Sequence, residues 1–422
     1  MSSITQNVCH AAMIYRRLFC LLLLVAASAT RVSAVPAPDP ARYEKAIAAF
    51  EAADAEKAPP KDGTLFVGAS NIRLWKSLPD RFKKDKVLNR GFGGCHLSDM
   101  VHFFDRTVSK YQPKQIYINS GGNDLHAGRT PEEVLAAFEA FVSKAKSSVP
   151  QAKLAFLSIP CSPSRRAEME QVKQANTLIS ASCVKNGVDF LNTFPYLLDS
   201  KGEPRPELYV EDQLHYSEAG YDVITSVIKW QGEMKRFAKE DAEKAPPASP
   251  IIFTGSSSIR MWKTLAEDFP GYPVMNRGFG GSEVFDAANF ADTLVIQYKP
   301  KQVILYAGGN DIAGGKTPQR VFEDYKAFVA KIHTALPGCE ICYISNAPNP
   351  RRWSMINEMR ETSRLVEEHT KTDKRLKYIN THDAMLGPDG TPKPDIFLSD
   401  NLHMNPKGYI IWKGIVGPHL LK

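Results

Sequence analysis

The sequence predicts two tandem three-layer α/β/α domains, each built around a five-stranded parallel sheet. Residues 66–75 and 253–262 both contain an apolar run, a Gly-x-Ser step and a possible helix start. The motifs that follow recur in the same order, 187 residues apart until the last, which is 188 residues apart. Segments such as 302–307 are apolar without alternation, as in strands that are covered on both faces. Together these observations indicate a duplicated chain in which strands alternate with helices.

Residues 1–34 have the features of an export signal. Arg16 and Arg17 precede an apolar run at 18–27, and residues 32–34 form a cleavage site of small side chains. The apolar run is too short to span a bilayer, which is typical of a secretory signal peptide. We therefore expect a secreted or periplasmic protein with no stable membrane insertion.

Length and charge limit the possible domains and partners. The 422 residues suit two domains of about 190 residues each, which we predict at 42–228 and 229–422. With 53 basic and 46 acidic residues, the chain has only a modest positive charge. No basic cluster is interleaved with aromatic side chains, so the composition does not favour a nucleic-acid partner.

Five cysteines follow the predicted signal peptide, and an odd number cannot all pair within one chain. They are Cys95, Cys161, Cys183, Cys339 and Cys342. The interpretation that we favour is a set of buried free thiols. A disulfide between Cys161 and Cys183 is the alternative.

In each repeat an opening helix precedes five strands. The apolar stripes of the two helices are Tyr43, Ile47, Phe50 and Trp230, Met234, Phe237. Both helices run into the same segment, Asp-Ala-Glu-Lys-Ala-Pro-Pro, and the prolines of this segment end the helices. The predicted strands lie near 64–69, 87–92, 115–121, 152–160 and 189–193, then near 250–255, 273–279, 302–308, 340–347 and 376–381. No proline occurs between 217 and 244, which predicts that the chain passes from one repeat to the next as helix or as two abutting helices.

Four short motifs in each repeat carry the candidate chemistry. They are Gly-x-Ser (68–70 and 255–257), Asn-Arg-Gly-Phe-Gly-Gly (89–94 and 276–281), Gly-Gly-Asn-Asp (121–124 and 308–311) and Asp-x-Leu-His (212–215 and 400–403). A serine nucleophile needs a base, and the histidine base needs a carboxylate to hold its tautomer. A tetrahedral oxyanion needs N–H donors, which glycine and asparagine can supply. The four motifs contain every one of these groups.

Each motif alone is a weak signal. The second glycine of an α/β-hydrolase nucleophile elbow is replaced by Ile72 and Ile259, which argues against that fold. A dinucleotide-binding fingerprint fails because its third glycine would fall at His96 and Glu283. Only the complete ordered set, present twice, is specific.

In this order the motifs resemble those of the SGNH (GDSL-type) hydrolases, over essentially the whole chain after residue 34. The resemblance implies a flavodoxin-like arrangement and an acyl-serine intermediate, with no metal and no organic cofactor. By position it assigns the nucleophiles Ser70 and Ser257, the bases His215 and His403, the orienting acids Asp212 and Asp400, and the oxyanion-hole residues Gly94, Asn123, Gly281 and Asn310. The aspartate that usually precedes the nucleophile is replaced by Ala69 and Ser256, which we interpret as a feature of a subgroup.

Other shared residues receive softer assignments. Arg165 and Arg352 follow a proline in the loop after the fourth strand, at the edge of the sheet where ligands bind, and are candidate substrate-binding residues. Asp124 and Asp311 are expected to brace the asparagine loop rather than take part in catalysis.

The family resemblance covers acyl esters of carbohydrates, lysophospholipids and thioesters. We expect removal of small acyl groups, such as acetyl, from an acylated small molecule or glycan. The alternatives are a lysophospholipase or thioesterase, or a non-catalytic glycan-binding tandem with vestigial sites.

Overall fold

The computed structural model describes residues 39–422, so the predicted signal peptide lies outside the described residues. The described chain forms two compact units. The first comprises the described residues up to Leu74, together with Lys84–Leu154 and Ala167–Val188. The second comprises Trp75–Lys83, Ala155–Arg166 and Asp189–Lys422, and it contains the whole second repeat.

All ten predicted strands are present. They are β1 (Thr64–Gly68), β2 (Val87–Gly91), β3 (Gln115–Asn119), β4 (Lys153–Leu157), β5 (Asp189–Leu191), β6 (Ile251–Gly255), β7 (Val274–Gly278), β8 (Gln302–Tyr306), β9 (Glu340–Ile344) and β10 (Leu376–Ile379). The prediction placed several carboxyl ends up to three residues too late. After β4 and β9 the next residues are still buried, so hydrophobic burial does not mark where the strand gives way to a loop.

The helices of the first repeat are α1 (Glu44–Glu56), α2 (Ser70–Arg73), α3 (Leu78–Arg81), α4 (Leu97–His102), α5 (Phe104–Thr107), α6 (Gly122–His126), α7 (Pro131–Ser148) and α8 (Met169–Asn186). Next come α9 (Glu218–Glu243), α10 (Ser257–Arg260), α11 (Leu265–Asp268), α12 (Val284–Asn289), α13 (Ala291–Leu294), α14 (Gly309–Ala313), α15 (Pro318–Ala335), α16 (Ile356–Thr370) and α17 (Pro406–Val416). Short 3₁₀ helices lie at Pro40–Tyr43, Ser109–Tyr111, Pro163–Glu168, Phe194–Leu197, Pro206–Leu208, Ile296–Tyr298, Pro350–Met355, Asp383–Met385, Pro394–Ile396 and Gly417–His419. In the described part of the chain, no helix combines the length and apolar character needed to cross a membrane.

The two sheets have the same strand order, which confirms the predicted fold class of tandem α/β domains with parallel sheets flanked by helices. The order is β2-β1-β3-β4-β5 in the first sheet and β7-β6-β8-β9-β10 in the second. In each sheet the first strand lies between its two successors, so the chain reverses direction across the sheet at that point. Ligands of open parallel sheets bind outside the carboxyl ends of the strands at this switch point.

Strands β6, β7 and β8 of the second sheet are aligned along their whole length. Gly255 at the end of β6 is the register partner of Gly278 at the end of β7 and of Tyr306 at the end of β8. The three strands therefore end at the same level. Because the predicted motifs follow these three strands, their loops emerge side by side at one edge of the sheet.

Aromatic side chains fill the core of the second repeat. Trp262 and Trp412 are both buried, and their ring centroids lie 5.9 Å apart. Phe253, on the fully buried strand β6, packs edge-on against Trp262 at 5.8 Å. This packing anchors the strand that carries the serine motif.

The prediction of a helix between the repeats is confirmed by α9, a single helix of 26 residues. Its N-cap residue, Ser217, accepts a hydrogen bond at Oγ from the backbone N–H of Gly220. The predicted division at 228 and 229 falls inside this helix, and the domain ranges stay predictions. The five cysteines beyond the predicted signal peptide are all buried free thiols, so the alternative disulfide between Cys161 and Cys183 is absent.

Gly255→Ala should destabilise the second repeat strongly. Gly255 has φ +115°, and a Cβ there would lie 2.0 Å from the carbonyl oxygen of Tyr306. We expect a loss of at least about 2 kcal/mol in the free energy of unfolding, measured by urea denaturation. The control is Gly414→Ala, at an exposed position in α17 with no atom within 4 Å of the new Cβ. It should stabilise the protein by about 0.5–1 kcal/mol. Equal unfolding midpoints for the two variants would contradict the argument.

Candidate active site

The serine of the second repeat lies on a tight turn after a buried strand. β6 ends at Gly255, and the backbone N–H of Ser256 then donates to the carbonyl oxygen of Tyr306 at 2.8 Å. Ser257 is the first residue of the short helix α10. The turn therefore holds the Ser257 side chain, which is partly exposed, at the carboxyl edge of the sheet.

A chain of hydrogen bonds runs from Ser257 to Asp400 through His403. Oγ of Ser257 lies 2.9 Å from Nε2 of His403, and Nδ1 of His403 lies 2.6 Å from Oδ2 of Asp400. A carboxylate only accepts hydrogen bonds, so Nδ1 carries the proton and Nε2 accepts from the serine hydroxyl. This is the tautomer that a general base needs.

The carboxyl group of Asp400 is held in its ionised form. Burial acts to raise the pKa of Asp400, but the backbone N–H and the imidazole of His403, together with the backbone N–H of Leu402, lower it to about 2. Oδ1 accepts from these two backbone N–H groups at 3.0 and 2.9 Å. The orientation of the carboxylate toward His403 is thus determined by its own loop.

The side chain of Asn310 is held at both ends. Its Nδ2 donates to the carbonyl oxygen of Ser282 at 2.8 Å, and Nη2 of Arg352 donates to its Oδ1 at 2.8 Å. Gly281, the residue before Ser282, has φ +88°, a conformation that favours glycine. An amide nitrogen has two N–H groups, so Asn310 keeps a second donor beside the glycine turn.

Further hydrogen bonds join the motifs to one another. Asn276 of the second motif donates from Nδ2 to the carbonyl oxygen of Ile259, two residues after Ser257, at 2.6 Å. Asp311 of the third motif accepts from the backbone N–H of Val284, which begins α12, at 3.2 Å. Asp311 is fully buried, and this contact connects the asparagine loop to the start of α12.

Burial also changes the protonation of this brace. It raises the pKa of Asp311 to about 7, although Nζ of Lys316 lies 3.2 Å away and opposes the shift. Lys316 also pairs with Glu283 and Asp324, at 3.0 and 2.8 Å. The brace is therefore a partly buried cluster of three carboxylates around one lysine.

A small cavity adjoins the serine. Ser257, Asn310 and His403 line it, with Tyr306, Asn346, Arg352 and Met359 among the other lining residues. Its volume is about 20 Å³, and a single water molecule needs roughly 10–15 Å³. Tyr306, Asn346 and Met359 are at most 9% exposed, so the cavity has buried walls and admits only a small group.

In the first repeat the acid and the base are paired in the same way. Nδ1 of His215 lies 2.6 Å from Oδ2 of Asp212. Hydrogen bonds from the backbone and then the side chain of His215 lower the pKa of Asp212 to about 2. Ser70 is the first residue of α2, directly after β1 and Ala69, as Ser257 is of α10.

The oxyanion candidates of the first repeat also match their counterparts locally. Nδ2 of Asn123 donates to the carbonyl oxygen of Cys95 at 3.2 Å. Gly94, the residue before Cys95, has φ +82°. Arg165 lies in the 3₁₀ helix after β4, as Arg352 lies in the one after β9.

Tyr306 and Asn346 are among the cavity-lining residues that the sequence motifs do not include. Neither residue is shared by the repeats, since their counterparts are Asn119 and Ile159. A signal was nevertheless present. Asn346 follows the end of β9 by two residues, at the edge where the other motifs lie. Among residues 39–422, no three His, Cys, Asp or Glu side chains are grouped so that they could hold a metal ion.

Two solved structures of bacterial proteins are each similar to part of this chain. A GDSL-like lipase from Bacteroides thetaiotaomicron is 21% identical, with a TM-score of 0.39, over 44% of this chain and 96% of its own. A catalytic mutant of an acetylxylan esterase from Geobacillus stearothermophilus is 15% identical, with a TM-score of 0.34, over 41% of this chain and 94% of its own. No curated protein sequence matches the chain.

The sequence pattern of one family matches each repeat separately. This family is the GDSL-like lipase/acylhydrolase family, and the matches cover residues 63–223 and 250–411. The two matches include all four motifs of each repeat and most of the chain. The protein therefore belongs to the GDSL-like lipase/acylhydrolase family, as a tandem duplication of its domain.

Proposed function

We propose that the protein is an exported serine ester hydrolase that removes small acyl groups, such as acetyl, from carbohydrates. The observation that carries this proposal is the unbroken chain of hydrogen bonds from Ser257 through His403 to Asp400. Such a chain activates a serine hydroxyl, which is otherwise a weak nucleophile. The proposal extends to Ser70, because the first repeat has the same motifs, the same acid–histidine pair and the same contact from its asparagine.

The reaction takes place in two steps. Oγ of Ser257 attacks the ester carbonyl carbon while Nε2 of His403 accepts the hydroxyl proton. The tetrahedral intermediate collapses as the bond to the alcohol oxygen breaks and His403 donates the proton to that oxygen. The alcohol departs, and the acyl group remains bound to Ser257 as an acyl-serine. Water then attacks the acyl-serine with the histidine again as base, releasing the acid and restoring the serine. Asp400 stabilises the imidazolium that forms in each step.

In this proposal, three donors form the oxyanion hole. The backbone N–H groups of Ser257 and Gly281 and the second amide hydrogen of Asn310 would stabilise the negative charge of the tetrahedral intermediates. The hydrogen bond from Arg352 to Oδ1 of Asn310 supports this role, because it turns the amide nitrogen away from the guanidinium. In this proposal Arg352 is a positioning residue rather than a group that binds the substrate.

Two observations support a small acyl group on an extracellular substrate. The cavity beside Ser257 has room for little more than a methyl or hydroxymethyl group. The amino-terminal segment has the pattern of an export signal. Polysaccharides and other glycans carry acetyl esters of this size outside the cell.

Removal of the serines tests the proposal directly. Ser70→Ala and Ser257→Ala should each keep part of the hydrolysis of p-nitrophenyl acetate, because each repeat has its own set of catalytic groups. The double variant should lose activity by roughly 10³-fold or more. Ser200→Ala, which alters an exposed serine in a turn, is the matched control. If wild type hydrolyses no ester, or if the double variant equals wild type, the proposal is wrong.

Arg352→Met should lower kcat on neutral acetyl esters roughly tenfold, with little change in KM. The variant removes the donor that orients Asn310, and removal of a whole oxyanion donor costs about 10²–10³-fold. Arg351→Met, at the exposed neighbouring arginine, is the control. Both should be measured with Ser70→Ala, so that only the second site reports. A rise in KM with unchanged kcat would instead favour the prediction that Arg352 binds substrate.

The rate of ester hydrolysis should fall as the acyl chain grows beyond butyryl. The buried walls of the cavity leave no room for additional methylenes, whereas a lipase gains roughly 1 kcal/mol or more from each methylene it binds. A series of p-nitrophenyl esters from acetyl to octanoyl measures this in kcat/KM. An optimum at octanoyl would contradict the assignment and favour a lipase.

A further inference from the structure

One buried acceptor in the wall of the cavity has no hydrogen-bond partner. Asn346 is only 2% exposed, and its Oδ1 is unpaired among the described residues. Its backbone is fully engaged, since Ser363 Oγ accepts from its N–H at 3.1 Å and Nδ1 of His382 donates to its carbonyl oxygen at 3.0 Å. A buried acceptor without a partner costs free energy, so a ligand that donates to it would be favoured.

The surroundings of Asn346 determine which way its amide faces. Nδ2 points to Oη of Tyr343 and to the carbonyl oxygen of Met359, at 3.4 and 3.5 Å. The hydroxyl proton of Tyr343 is donated to the carbonyl oxygen of Ala307, so both neighbours of Nδ2 are acceptors. Rotating the amide by half a turn would set its oxygen against two acceptors. Oδ1 is therefore the atom on the opposite side.

The side of the Asn346 amide that carries Oδ1 borders the space next to the asparagine loop. A Cβ placed on Gly309 would lie 3.2 Å from Nη1 of Arg352, and 3.8 Å from both Oδ1 of Asn346 and Cε of Met359. All four residues line the cavity that also contains Ser257. A group small enough to enter about 20 Å³ would therefore contact both the serine and this acceptor.

The cavity suits the acyl side of an ester. The acyl group stays bound to Ser257 in the intermediate, and a space of about 20 Å³ is too small for a sugar ring. An acetyl methyl in this space would face Oδ1 and leave it unpaired. A hydroxyl on the carbon next to the carbonyl would donate to it.

We propose that the second site prefers 2-hydroxyacyl esters, such as glycolyl esters, over acetyl esters, and that Asn346 Oδ1 accepts the hydrogen bond of the acyl hydroxyl. This proposal rests on the ester hydrolase function proposed above. It applies to the second repeat only, because the corresponding residue of the first repeat is Ile159, which is buried and has no acceptor in its side chain. The two sites of one chain thus differ in their acyl substrate.

The test compares glycolyl and acetyl esters of one alcohol, such as p-nitrophenol. In the Ser70→Ala protein, where only the second site acts, kcat/KM should be about tenfold higher for the glycolyl ester, after correction for its faster spontaneous hydrolysis. In the Ser257→Ala protein, where only the first site acts, the corrected ratio should be close to one. Addition of Asn346→Leu to Ser70→Ala should lower the ratio to about one.

Each outcome decides between the two proposals. Equal ratios at the two sites, with hydrolysis intact, would overturn the acyl preference and assign Asn346 to a structural water only. Absence of any ester hydrolysis by the wild-type protein would instead refute the ester hydrolase function. Thermal melting of the Asn346→Leu protein checks its folding, and the comparison of the single-serine variants stands without it.

Discussion

The candidate site depends on the alignment of β6 with β7 and β8. Gly255, Gly278 and Tyr306 are register partners, so three loops leave the sheet at one level. A slip of one residue would move a strand by about 3.3 Å and turn its side chains to the opposite face. The hydrogen bonds between the motifs, such as the 2.8 Å contact from Asn310 to Ser282, could not survive such a shift. The geometry of the site is therefore a property of the sheet, and the loops only complete it.

The repeated segments also contain residues with structural rather than catalytic roles. In the second repeat, Arg277 of the second motif pairs with Asp241, the first residue of the repeated Asp-Ala-Glu-Lys-Ala-Pro-Pro segment at the end of α9. Tyr298 donates to the same carboxylate. The first repeat forms the same triplet from Arg90, Asp54 and Tyr111. Each triplet ties the opening helix of its repeat to the edge strand that leads into the glycine turn. The sequence shows that these segments recur, but only the structure shows that they contact each other.

What could be predicted from the sequence follows from what local chemistry determines. The strands were predictable because both faces are buried, and the serine, histidine and acid because their residue types and order are specific. The brace at Asp311 was predictable because it directly follows the asparagine. The partner of Arg352 could not be predicted, because its contact with Asn310 joins residues 42 apart in sequence through the packing of two loops. Asn346 was missed because it differs between the repeats. Its proposed role comes from a side-chain oxygen that lacks a hydrogen-bond donor, and no sequence pattern records such an absence.

Duplication has preserved the two kinds of contact to different degrees. The contacts that assemble the chemistry are nearly equal in the two repeats: the acid to histidine distance is 2.6 Å in both. The bond from the second-motif asparagine to the serine helix is also 2.6 Å in both. The acid–histidine contact is held within one loop, and the asparagine contact depends on the register of the first two strands of each sheet. Asn346 lies after β9, outside these contacts, and a change there alters only the cavity wall. In the proposed functions, the residues that activate the serine are thus separate from Asn346, which selects the acyl group, so Asn346 can diverge while the others stay constant.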